Sequence, residues 1–322
     1  MTPRRVLAAL LASSVLLAAC GDDGDDAAGA AGEDTAESSE GSAESGTRTV
    51  EHAMGTTEVP VDPQRVVVLD SSFLDAAVAL DVEVIGAAEA SEGSGLPPYL
   101  AEELGEDVSV VGLIESPNLE AVAAADPDLI LGAKVRHEAM YQQLSGIAPT
   151  VFTESSGTNF KEGLAVTADA LNKTEEAEQL LAEYEQRADE IGEAIGASEM
   201  TASIVRFLLP DEIRLYGPET FSGTVLTDVG FDLGDHAWNE YSMFLVSSEQ
   251  LSLADADVVF STTYGTGEDT GLDEFPTEKA LWEQVPAVAE GRQHWVADNE
   301  WMLGIGLVGA NIILDDLEAL LG

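Results

Sequence analysis

The sequence predicts an α/β fold of two similar Rossmann-like lobes, each built on a mainly parallel sheet and joined by a single long rigid α-helix. Three observations carry this expectation. Short apolar runs alternate with helical patterns along most of the chain, a long amphipathic helix interrupts that alternation midway, and one segment is repeated 129 residues further on.

The first apolar run, Arg65-Val66-Val67-Val68-Leu69-Asp70, ends in Asp70-Ser71-Ser72 and is followed by Phe73, Leu74, Ala77, Val78 and Leu80 at helical spacing. This order reads as strand, cap and helix. Further strands are expected at Val82 to Ile85, Ser109 to Val111, Leu129 to Leu131 and Thr150 to Phe152, with helices at Leu119 to Ala125 and Glu138 to Ser145. Together they define an N-terminal lobe over residues 48–158.

Residues 159–197 are expected to link the lobes. Thr174 is placed to cap a helix whose apolar positions Ala177, Leu180, Leu181, Tyr184, Ala188, Ile191 and Ile195 fall on one face. From Thr174 to Gly196 such a helix spans about 30 Å, the width of a small lobe. The alternation then resumes over 198–322, with strands at Ser203 to Leu209, Ile213 to Tyr216, Val258 to Ser261 and His294 to Val296. Helices are expected near Gly223 to Asp228 and Glu278 to Gln284.

The repeat is visible residue by residue. Asn118, Glu120, Asp126 and Asp128, followed by Leu129-Ile-Leu131, correspond to Ser247, Glu249, Asp255 and Asp257, followed by Val258-Val-Phe260. Each copy has a capping residue two positions before a glutamate, a short helix, and an Asp-x-Asp turn feeding an apolar strand. Duplication of one α/β unit explains the pattern.

Ahead of the lobes, Arg4 and Arg5, the apolar run Val6 to Leu17, and Ala18-Ala19 read as a signal peptide over residues 1–19. The run is too short to span a membrane, which takes about 20 apolar residues. Leu17-Ala18-Ala19-Cys20 resembles the bacterial lipobox, which implies lipidation of Cys20 and an anchor on the extracytoplasmic face of the cell membrane, in a Gram-positive bacterium. Residues 20–47, rich in Ala, Gly, Ser, Glu and Asp and free of aromatic side chains, are expected to form a disordered acidic tether.

Composition narrows the function classes. With 61 acidic and 13 basic residues and a formal charge of -48, the chain excludes nucleic acid as a partner. Cys20 is the only cysteine, so no intramolecular disulfide forms. The sequence contains neither a Gly-x-Ser-x-Gly elbow nor a zincin motif, and it is read as a non-enzyme.

Over residues 60–322 the chain resembles the solute-binding proteins of ABC importers for ferric siderophores and cobalamin. The motifs are Arg65-Val-Val-Val-Leu-Asp70, Pro117-Asn-Leu-Glu120, Asp126-Pro-Asp-Leu-Ile130, Ile147-Ala-Pro-Thr150, Ser248-Glu-Gln-Leu251, Trp282-Glu-Gln-Val-Pro286 and Asn311-Ile-Ile-Leu-Asp315. The resemblance implies a monomeric receptor that takes a ferric siderophore into an interlobe cleft and delivers it to an ABC permease and its ATPase. It also implies docking to permease arginines through Glu120 and Glu249. An acid in the first turn of a helix equally suits the macrodipole, so spacing alone leaves both readings open.

Candidate ligand-binding residues follow from charge and position. Lys134 and Arg136 are scarce cations just beyond an expected strand end, where open α/β sheets bind ligands. Arg206 lies inside the apolar run Ile204 to Leu208, so it must face a carboxylate, a cleft or a bound anion. Planar guanidinium donors suit hydroxamate, catecholate or carboxylate oxygens. Trp238, Tyr264 and Trp301 are candidates to wall a cleft, with core packing or exposure as the alternative for each. His236 is a candidate iron ligand or a solvated loop residue.

The acidic surface favours neutral or cationic ferric hydroxamates over triply anionic catecholates. Cobalamin or haem is an alternative ligand. A bare divalent metal is another, although only His52, His137, His236 and His294 are present and they are scattered. A non-transport surface lipoprotein or adhesin is the alternative from a different class.

Overall fold

The computed structural model describes residues 46–101, 103–105, 107–156, 160–209, 212–264, 272 and 276–322. The expected signal peptide, Cys20 and the tether up to residue 45 lie outside the described residues. The described residues belong to one compact unit.

The described chain opens on a hairpin that its sequence did not announce. Strands β1 (Thr47–His52) and β2 (Gly55–Pro60) pair antiparallel from Thr47↔Pro60 to His52↔Gly55, and bury Val50 and Val59. The tight reversal uses Gly55 at φ 118, a conformation that suits a residue without a Cβ. The first α/β unit follows with β3 (Val66–Val68), α1 (Ser71–Ala79) and β4 (Val84–Glu89). Next come β5 (Ser109–Leu113), β6 (Ser116–Pro117), α2 (Leu119–Ala124) and β7 (Leu129–Ala133). Short helices α3 (Lys134–His137) and α4 (Tyr141–Leu144) lead to β8 (Thr150–Thr153). The six strands form one sheet in the order β6-β5-β4-β3-β7-β8, parallel except for the edge strand β6.

Parallel strands covered on both faces read as continuous apolar runs, which is why Val66 to Leu69 and Leu129 to Leu131 show no polar alternation. Alternate side chains nevertheless enter different cores. Val66, Val68, Leu129 and Leu131 join the core that runs through both halves of the molecule, whereas Val67, Leu69 and Ile130 pack beneath α2 and α4.

From β8 the chain reaches the second sheet through α5 (Phe160–Leu171) and α6 (Thr174–Ile195). The 22 residues of α6 span about 33 Å. The cap falls one position earlier than expected: Lys173 occupies it without a side-chain hydrogen bond, and Thr174 is the first helical residue. The helix stops at Gly196, whose φ of 74 is left-handed. It does not stand free, because it packs against α5 and two later helices and buries Tyr184, Ala188 and Ile191.

The second sheet is built from β9 (Ala202–Leu209) and β10 (Glu212–Tyr216), then, after α7 (Phe221–Val229), from β11 (Met243–Val246) and β12 (Val258–Thr263). Helices α8 (Pro276–Trp282) and α9 (Pro286–Ala289) precede β13 (Gln293–Trp295). Helices α10 (Asp298–Trp301) and α11 (Leu307–Leu321) complete the chain. The strand order is β11-β10-β9-β12-β13. Here β12 runs parallel to β9 and β13, but β10 is antiparallel to both neighbours, so this sheet is mixed. Only two residues separate β9 from β10, which leaves no length for the crossover that a parallel pair requires.

The duplicated unit is preserved in detail. Asn118 Oδ1 caps α2 by accepting from the backbone N–H of Glu120 and Ala121, and Ser247 with Gln250 forms a capping box on the 3₁₀ turn Ser248–Ala254. Asp128 accepts from the N–H of Gln64 and Arg65 at 2.8 and 2.9 Å, tying down the start of β3. Its counterpart Asp257 accepts from the N–H of Thr201 at 2.8 Å, at the start of β9. The aspartates of the repeat therefore pin the strand beside their own, once in each sheet.

One buried carboxylate joins the two halves. Asp75, on α1, accepts from the N–H of Val308 and Gly309 at 2.9 and 3.0 Å, and from the hydroxyl of Tyr99 at 3.1 Å. Helix α11 begins after Gly306, which has no side chain to cap it, so Asp75 supplies the missing acceptor.

Candidate functional site

The carboxyl ends of both sheets converge on a cleft, as ligand sites of open α/β sheets do. Asp70 follows β3, Arg136 follows β7, Ser155 and Ser156 follow β8, and Tyr264 follows β12. The cleft holds two adjoining cavities of about 790 and 380 Å³, which share Glu115, Arg136 and Ile305. The larger reaches Arg206, Arg214, Tyr216 and Tyr241, and the smaller reaches Asp70, Leu96, Pro97 and Tyr264.

On the first-sheet side Arg136 organises the wall. Its Nε lies 2.9 Å from Asp70 Oδ2 and donates to Ser156 Oγ at 3.1 Å, while Nη1 pairs with Glu115. Burial pushes the Asp70 carboxyl up from its usual range, and the charge of Arg136 opposes that shift. His137, the next residue, is fully buried and locks the turn carrying Glu115. It accepts from the N–H of Ala133 at Nδ1, so its Nε2 donates to the carbonyl of Ile114 at 2.8 Å. The four-residue helix thus sends one side chain to the cleft and the next into the core.

On the second-sheet side Arg206 shares a strand face with Ala202 and Ile204 but lies beyond the core they enter. Its Nε and Nη2 each donate at 2.7 Å to Asp298, a bidentate pair with a fully buried carboxylate. The Tyr264 ring covers the guanidinium at 5.0 Å. Burial alone would lower the Arg206 pKa, but the Asp298 pairing, with Tyr216, holds it above its ordinary value. Arg214 stands directly opposite Arg206 in the β9–β10 register, so both guanidinium groups leave the same face, and Arg214 pairs with Glu212 at 2.8 Å. Like charges placed opposite one another cost free energy unless countered.

The remaining sequence candidates are distributed unevenly. Lys134 lies beside the cleft in a shallow recess, paired with Glu154 at 3.0 Å. Trp301 contributes to the wall of the larger cavity but is fully buried, with its indole N–H donated to Asp316 at 2.7 Å and its ring packed on Phe260. Trp238 and His236 line neither cavity. They meet edge to face at 5.0 Å and pack at a tilt on Phe244, and Trp238 packs against the core of the second sheet. Tyr264 is exposed and lines the smaller cavity. Among the described residues no three His, Cys, Asp or Glu side chains converge to hold a metal ion.

Glu120 and Glu249 are both exposed in the first turn of their helices. Each helix starts where its chain has just reached the carboxyl end of the sheet. Val246, just before the second turn, stands level with Phe207 near the end of β9 through Ile213, and Leu113 extends past β3 beside Glu89. The two glutamates therefore lie at the same ends of the sheets as the cleft. Cys20 lies outside the described residues.

Sequence reasoning did not single out Glu115, Arg214, Tyr216, Asp298 or Ser156. Arg214 left a usable trace, a charge within the apolar run Ile213 to Tyr216 and eight residues from Arg206 across a short reversal. Asp298 left none, since 92 residues separate it from Arg206 and acids are abundant throughout the chain.

The arrangement of two sheets around a cleft has counterparts among known proteins. The probable siderophore-binding lipoprotein YfiY of Bacillus subtilis is 36% identical over 284 residues, covering 84% of this chain and 87% of that protein. The Fe(3+)-citrate-binding protein YfmC of the same organism is 30% identical over 257 residues, covering 79% of each. The crystal structure of Staphylococcus aureus SirA complexed with staphyloferrin B superposes with a TM-score of 0.73 at 30% identity, covering 85% of this chain and 98% of that one. The periplasmic binding protein family matches residues 66–293, which take in nearly all of both sheets and the helices between them, and the chain belongs to that family.

Proposed function

We propose that this protein is the extracytoplasmic solute-binding component of an ABC importer, which captures a ferric siderophore in the cleft and delivers it to the permease without chemical change. The observation that carries the reading is the pair of arginines, Arg136 and Arg206, each held by a buried acid and presented from opposite sheets to one cleft. Guanidinium groups fixed in this way offer directed hydrogen bonds to the oxygens around a ferric centre, and Tyr264 adds an apolar face. The ligands of the similar proteins, ferric citrate and staphyloferrin B among them, support the same class. Tryptophan fluorescence of the purified protein is expected to change on titration with at least one ferric siderophore, with sub-micromolar affinity. Flat titrations across ferric hydroxamate, catecholate and citrate complexes and cobalamin would sink the proposal.

In this reading Glu120 and Glu249 meet the permease, which agrees with their exposure at the cleft end of each sheet. Reversing both charges, Glu120→Lys with Glu249→Lys, is expected to cut uptake of labelled ferric siderophore by whole cells about tenfold or more, because like charges then face one another across the interface. Ligand affinity in solution should stay unchanged. Uptake at the normal rate would remove the docking role. The lipid on Cys20 is proposed to keep the monomeric receptor beside that permease and its ATPase, on the outer face of the cell membrane of a Gram-positive bacterium. Among the described residues no helix is long and apolar enough to cross a membrane.

A further inference from the structure

The cations of the cleft are already countered. Arg206 has Asp298, fully buried, and Arg136 has Asp70, whose side chain is 2% exposed. Neither acid can leave without stranding a buried charge, so both pairs are permanent features of the wall. Arg136 carries a second carboxylate as well. Glu115 pairs with Nη1, and its side chain is 70% exposed on the turn that joins β5 to β6. Two carboxyl groups share one guanidinium, and the exposed one, Glu115, is the charge that is free to swing into water.

Position gives that charge a role. Glu115 lines both cavities and occupies Nη1, one of the Arg136 donors, at the place where they meet. A strongly anionic ferric complex must displace Glu115 or accept its repulsion at close range, whereas a neutral or weakly charged complex can bind with Glu115 in place. Glu219 and Glu240, on the wall of the larger cavity, act in the same direction, while Arg214 on that wall is matched by Glu212. From this we infer that Glu115 is a specificity residue, a built-in counter-ion on Arg136 that biases the cleft towards ferric complexes of low net negative charge. The inference rests on the siderophore reading and adds to it the charge class of the ligand.

The test compares wild type, Glu115→Gln and Glu115→Asp in fluorescence titrations with two probes, a neutral ferric trihydroxamate and anionic ferric citrate. Glu178→Gln, which removes one exposed charge from α6 away from the cleft, serves as the control. Glu115→Gln is expected to shift the affinity ratio towards ferric citrate by about tenfold. Glu115→Asp should keep the wild-type ratio, and so should Glu178→Gln. A merely structural role would move both affinities together, so an unchanged ratio in Glu115→Gln overturns the inference alone. The same shift in Glu178→Gln overturns it too, by reducing the effect to overall charge. If neither complex binds but a triply anionic ferric catecholate does, the inference alone falls; if the catecholate and cobalamin titrations are flat as well, the siderophore reading falls and the inference with it.

Discussion

Replacing Arg206 by alanine is expected to destabilise the folded chain by about 3 to 5 kcal/mol, the usual cost of leaving one partner of a buried ion pair unmatched. The reason lies in Asp298, which is fully buried and accepts both Arg206 donors at 2.7 Å. Without the guanidinium its charge must be borne in a buried place, with the Thr262 hydroxyl at 3.5 Å, or neutralised by a proton. Tyr264 would also lose the cation against which its ring lies. Arg206→Lys keeps the charge but not the two-pronged geometry, so it should recover part of the stability and little of the ligand affinity. Urea denaturation measures the first quantity and fluorescence titration the second. A loss below about 1 kcal/mol for Arg206→Ala would mean that Asp298 finds another partner, and the wall of the cleft would then be softer than the pairing implies.

Asp75→Ala is expected to cost about 3 kcal/mol, since it leaves the N–H groups at the start of α11 and the Tyr99 hydroxyl without their acceptor in a buried place. The same carboxyl gives a dependence on pH whose sign is fixed. Burial raises its pKa to about 6, against the opposing hydrogen bonds from Gly309, Val308 and Tyr99. A raised acid pKa means that the folded state holds the proton more tightly than the unfolded state. The contribution of Asp75 is therefore fully present below about pH 4 and declines as pH rises to 6 and beyond, by about 3 kcal/mol in all. Urea midpoints taken from pH 4 to pH 7 for wild type and Asp75→Asn should diverge over that window, since the amide does not titrate. Parallel curves would show that Asp75 ionises at its ordinary value and that its hydrogen bonds offset its burial.

Much of the fold could be read in advance because burial on both faces writes itself into sequence. Val66 to Val68, Leu129 to Leu131 and Val258 to Phe260 are unbroken apolar runs, and each is a central strand. The β1–β2 hairpin was missed because its strands expose Glu51, Thr56 and Glu58 and carry too few apolar residues to announce themselves. Helix α11 was noted only through the motif Asn311 to Asp315, its cap being supplied by a residue 233 positions away. Arg136, Arg206 and Tyr264, which line the cleft, could be picked out in advance because a scarce charge just past or inside an apolar strand, or a large ring in a loop beyond one, needs a purpose. Trp238 and His236 had the right chemistry in a loop that packs elsewhere, against Phe244.

The two sheets, the helix between them, the repeated unit with its paired aspartates and the acidic character of the chain were all legible in the sequence. These are properties of segments, set by periodicity, by local caps and by the sum of the charges. Tertiary structure alone decided which acids meet which arginines: Asp298 with Arg206, Asp70 and Glu115 with Arg136, and Asp75 with the start of α11. In a chain with 61 acidic residues, identity carries almost no information about pairing. A buried contact is selected by register and by exclusion of water, and both arise only when distant segments are brought together.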